Sequence, residues 1–120
     1  MLLDKGGFIE GETKKPDFTR KDLKEYLTEC EENSIDSELA KEFFIAVYNT
    51  LMWEKEPIAP KLSDNRYKLW ELDDDIEDVI NYIFRMHNIS TISWNYDEIL
   101  NLVTFKDILL YLQQKIYTNR

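Results

Sequence analysis

Ser37-Glu38-Leu39-Ala40-Lys41-Glu42-Phe43-Phe44-Ile45-Ala46-Val47-Tyr48-Asn49-Thr50-Leu51 repeats its apolar residues at helical spacing. Leu39, Phe43, Phe44, Val47, Tyr48 and Leu51 fall on a stripe too broad for a helix lying on a surface, so a helix over about 37–54 is expected at the centre of the fold or on a dimer face. Pro57 and Pro60 stop it, and the stretch from Lys55 to Arg66 reads as a loop, because proline lacks the N–H that helices and ladders need. Tyr67 to Leu72 fits either loop or a short helical turn.

Helical spacing continues on both sides. Upstream, Leu23, Tyr26, Leu27 and Cys30 make one stripe of a helix over about 20–32, with Thr19 as the expected N-cap, a Phe18–Leu23 staple, and Asn33-Ser34 as its end. Downstream, Ile76, Val79, Ile80, Ile83 and Phe84 predict a helix over about 75–88 that Asn88 closes. Asn95 followed by Glu98 signals a short helix over about 96–101, with a Trp94–Ile99 staple. Thr104 with Asp107 at N3, and Val103 facing Ile108, open a last helix with Phe105, Ile108, Leu109, Leu112 and Ile116 inward. The expectation is an all-α fold: a compact bundle of four main helices plus one short helix. Residues 1–16, glycine-bearing and ending in Pro16, read as an N-terminal arm, and residues 17–120 as a single helical domain.

The charge balance narrows the partners. The 120 residues carry 24 Asp plus Glu against 15 Lys plus Arg, a net charge of −9. Affinity for nucleic acid draws on Lys and Arg at phosphates, so a nucleic-acid partner is not expected and a basic protein is. Glycine occurs only at Gly6, Gly7 and Gly11, which leaves no phosphate-cradling loop in the body of the chain. No apolar run approaches the ~18 residues that span a bilayer. The single cysteine, Cys30, precludes an intrachain disulfide and suits a reducing, cytoplasmic setting.

The densest charge is Glu71, Asp73, Asp74, Asp75, Glu77 and Asp78, six carboxylates with no base among them. A calcium loop does not fit, since counting from Asp73 puts Asp78 where the EF-hand has glycine and Phe84 where it has glutamate. Helix-dipole capping accounts for Asp74 and Asp75 without requiring six charges. The run reads as a face awaiting a cationic partner, with Tyr67 and Trp70 beside it as exposed aromatics, while Trp53 and Trp94 suit the core. Glu29, Glu31, Glu32, Asp36, Glu38 and Glu42 form a weaker run of the same kind. One histidine, His87, and one thiol on an apolar stripe give neither a zinc set nor a convincing nucleophile pair, so no enzyme activity, metal or cofactor is expected.

Residues from about Leu39 to Tyr117 resemble the four-helix bundle of the acyl carrier proteins. Leu72-Asp73-Asp74-Asp75-Ile76 is similar to the carrier motif around the phosphopantetheine serine, and Thr104-Phe105-Lys106-Asp107-Ile108-Leu109-Leu110-Tyr111-Leu112 to the closing Thr-Val-Gly-Asp pattern. Asp75 stands in the serine's place, and the segment before it is one residue short. The resemblance implies a docking helix without the carrier's prosthetic group. Together, the residues suggest a non-catalytic, acidic protein-binding module. Its functional type is that of bacterial immunity proteins and antitoxins that block a basic, nuclease-like toxin, acting as a monomer or homodimer. The alternative is a carrier-like docking component.

Overall fold

The computed structural model describes residues 16–51, 58–65, 76–90 and 94–118. The chain is all-α. Among the described residues there are five helices: α1 (Lys21–Glu32), α2 (Ser37–Leu51), α3 (Ile76–Met86), α4 (Tyr96–Leu100) and α5 (Phe105–Thr118). None is long and apolar enough to cross a membrane. Each expected helix is present, and the boundaries differ by a few residues at most where both ends are described. Residues 1–15 of the expected arm lie outside the described residues, as do the Leu51 side chain and Trp53, while Pro16 is buried against the body.

α2 is the hub, packed on α1, α3 and α5. Leu39, Ala40, Phe43, Phe44, Ala46, Val47 and Tyr48 are all buried, so the breadth of the stripe is used up inside one chain. The described apolar residues of this helix thus face three helical partners, as expected of a central helix. α3 contributes Ile76, Val79, Ile80, Ile83 and Phe84, and α5 contributes Phe105, Ile108, Leu109, Leu112 and Ile116. Phe43 meets Phe105 edge to face with centroids 6.4 Å apart, the arrangement that aromatic quadrupoles favour.

The helix ends show what the local sequence does. α1 and α3 stop in the same way. Ser34 (φ 62°) and Asn88 (φ 57°) turn the backbone left-handed. The N–H of Ile35 then donates to the Cys30 carbonyl at 2.9 Å and that of Ile89 to Phe84 at 2.8 Å. Ser34 N–H reaches Glu31 and Asn88 N–H reaches Arg85, which completes the Schellman pattern at both ends. Ile35 and Ile89 are buried, as the motif requires. Asp36 then caps α2, its Oδ2 accepting from Leu39 N–H at 3.1 Å. From α5, Gln113 reaches this corner, accepting from Asp36 N–H at 2.7 Å and donating to the Ser34 carbonyl at 3.0 Å.

The start of α5 is the expected capping box: Asp107 N–H donates to Thr104 Oγ1 and Thr104 N–H to Asp107 Oδ2, each at 3.1 Å. Asn95 caps α4 through Glu98 N–H at 3.0 Å. The start of α1 departs from expectation. Thr19 does not cap it; Arg20 holds that position without a side-chain cap bond, its guanidinium going to the Asp22 carboxylate instead. Asp17 takes both the hydroxyl and the N–H of Thr19, so a local Asp-centred turn outcompetes the cap. Val103 is 46% exposed, which leaves its staple to Ile108 open.

Candidate functional site

Of the eight residues expected to meet a partner, Tyr67, Trp70, Glu71, Asp73, Asp74 and Asp75 lie outside the described residues. Glu77 and Asp78 are described. Both are exposed in the first turn of α3, where a negative charge is favoured by about 0.3–1 kcal/mol by the helix dipole. Neither carboxylate is paired with a described base. One turn along, Asn81 Oδ1 accepts the indole N–H of Trp94 at 3.0 Å. Helix spacing puts Glu77 and Asp78 one turn from Asn81, the residue that holds the half-buried Trp94. Tyr96, half exposed, and Asp97 follow at the start of α4. Trp94 is half-buried and packs against the core, as expected, with its polar atom satisfied.

The second acidic run divides in two. Glu29, Asp36 and Glu42 have work inside the fold. Glu29 Oε1 accepts from Leu62 N–H at 3.0 Å, Asp36 caps α2, and Glu42 Oε1 lies 2.6 Å from His87 Nε2, tying α2 to the end of α3. Glu31, Glu32 and Glu38 remain on the surface. Glu31 and Glu32 close α1 on the side where the helix dipole is negative, and no base shares that last turn.

Two side-chain groups bear on chemistry. Cys30 is fully buried and its thiol is pushed up to about 12 by burial, so it holds its proton and behaves as an apolar filler. His87 spends Nε2 on Glu42, and no hydroxyl or thiol among the described residues is hydrogen-bonded to the ring. On the opposite side of the site, the Tyr111 hydroxyl donates to Glu98 Oε1, which Lys115 Nζ approaches to 3.3 Å. Burial, then the Glu98 charge, raises the Tyr111 phenol, while the bonds from Tyr111 and Lys115 lower the Glu98 carboxyl. This set joins α4 to α5. Among the described residues, no group of three or more His, Cys, Asp or Glu is placed to hold a metal ion.

Sequence reasoning missed the internal acceptors. Asp22 and Glu29 stand seven residues apart on α1, hence on one side of the helix, and that spacing was the available signal. No family model matches the chain, nor does any curated protein or solved structure.

Proposed function

We propose that the protein is a non-catalytic, acidic binding module that docks on a basic protein, of the type that bacterial immunity proteins and antitoxins use against a nuclease-like toxin in the cytoplasm. One observation carries the reading: Glu77 and Asp78 are solvent-facing and unpaired with a described base, one helical turn from Asn81, which holds the half-buried Trp94. They continue the acidic run that begins at Glu71. A nuclease holds phosphates in a positive site, so an acidic face with an aromatic anchor competes for that site and speeds encounter.

Native mass spectrometry of the protein drawn from its host tests the partner's nature, with a stoichiometric basic protein on an unmodified chain as the expected result. Reversing Asp73, Asp74, Asp75 and Glu77 to lysine should then lower the association rate far more than it raises the dissociation rate, and added salt should shrink the difference. Unchanged binding removes this face from the account. The order of a long α2, then α3, a short α4 and a closing α5 favours a second reading, a carrier-like docking component. A phosphopantetheine-sized mass on the chain would select it.

A further inference from the structure

The segment over residues 58–65 runs as a strap between α1 and α5, and both of its backbone edges are engaged. Toward α1, Ala59 N–H donates to Asp22 Oδ2 at 2.9 Å and Leu62 N–H to Glu29 Oε1 at 3.0 Å. Toward α5, the Leu62 carbonyl accepts from Lys106 N–H at 3.0 Å and the Asp64 carbonyl from Phe105 N–H at 3.1 Å. Pro60 and Leu62 are buried beneath it, and Asp64 closes a small turn by accepting from Lys61 N–H at 3.1 Å.

The two attachments differ in kind. Phe105 and Lys106 belong to the first turn of α5, whose N–H groups have no acceptor within the helix, so the strap supplies what α5 lacks. On α1 the backbone is self-sufficient, and the strap's hydrogen bonds to that helix all end on two side-chain carboxylates, one of which also serves Arg20 at 2.6 Å, while Pro60 and Leu62 add apolar burial. A bond to a partly exposed carboxylate, for which water can substitute, is surrendered more readily than a helix's own unmet donors.

We propose that residues 58–65 form a latch that lifts from α1 as a unit while the helical core stays folded, with Asp22 and Glu29 as its catches. Lifting returns these two carboxylates to the side of α1 that carries Glu25 and Glu32, since positions 22, 25, 29 and 32 share one stripe. An open concavity of about 270 Å³, lined by Lys24, Glu25, Thr28, Glu29 and Glu32, lies along that stripe. The latch therefore sets how many carboxylates α1 shows to a basic partner, and in that respect alone it rests on the proposed function.

Amide hydrogen exchange on the whole chain tests it without any partner, so failure of the latch and failure of the partner reading appear in different experiments. In Glu29→Ala, exchange at Leu62 should rise by about tenfold or more while the amides of Phe43 to Val47 and Val79 to Ile83 keep wild-type rates. Asp22→Ala should do the same at Ala59, and Glu31→Ala, which touches no strap residue, should change neither. Strap and core amides that accelerate together, or a variant that does not fold, would show the strap to be part of the global unit and overturn the proposal. Wild-type protection at both Ala59 and Leu62 in the two variants would overturn it equally.

Discussion

The Tyr26 hydroxyl donates to the carbonyl of Ala40 at 2.7 Å, across the α1–α2 contact and closed to water on all sides. Because Ala40 lies inside α2, its carbonyl keeps a helical partner when the phenol is lost. Tyr26→Phe should cost about 0.5–1.5 kcal/mol, read as a lower urea midpoint at unchanged slope. Burial also pushes this phenol well above its ordinary value of 10.0, as it does less strongly for Tyr111. The folded state then holds protons that the unfolded chain gives up, so stability present below about pH 10 is lost as pH rises past it. The phenylalanine variant should lose less than the wild type between pH 9 and 11, each pH being about that value.

The acid limb runs the other way. The Arg20 guanidinium lowers Asp22 to about 2, and the N–H of Thr104 lowers Asp107. Both carboxylates stabilise the fold above the ordinary range near 3.8, and that contribution fades as pH falls from about 4 toward 2. Asp107→Asn should flatten this slope in urea titrations, and Thr104→Ala should cost about 1 kcal/mol at pH near 7.

Ser34 and Asn88 occupy the same left-handed place in two equivalent helix ends. Asparagine tolerates that conformation far better than serine does. Ser34→Gly should raise stability by roughly 0.5–1 kcal/mol and Asn88→Gly by less, a difference that thermal melts of the two variants resolve. An equal gain at both sites would mean that the Cβ at residue 34 is under no strain.

Burial and a thiol near 12 together make Cys30 inert in the native state. Iodoacetamide at pH about 8 should leave the folded chain unlabelled and modify it fully in denaturant, as mass spectrometry will show.

Helices were legible because their signals are local. Apolar spacing located α1, α2, α3 and α5, and the pairs Asn95–Glu98 and Thr104–Asp107 marked the starts of α4 and α5. Asn33-Ser34 and Asn88 marked two ends. Thr19 was misread because Asp17, two residues earlier, accepts both its hydroxyl and its N–H and draws it into a turn ahead of the helix. The clasps from Gln113 to Ser34, from Glu29 to Leu62 and from Glu42 to His87 join residues far apart in sequence, and no local pattern announces them. For the candidate site, composition and charge pointed to Glu77 and Asp78, yet the tie of Trp94 to α3 rests on its bond to Asn81, thirteen residues away, which no local pattern announces.

Gln113 closes the α1–α2 corner over 77 and 79 residues of sequence. In a chain made from its amino end at about 5–20 residues per second, that corner waits roughly 4–16 s for the amide that ties it. The first two helices therefore leave the ribosome without that clasp, held by the Schellman bonds, the Asp36 cap and their own packing, the Tyr26–Ala40 bond included. The order of synthesis makes α5 the piece that locks a corner built long before it.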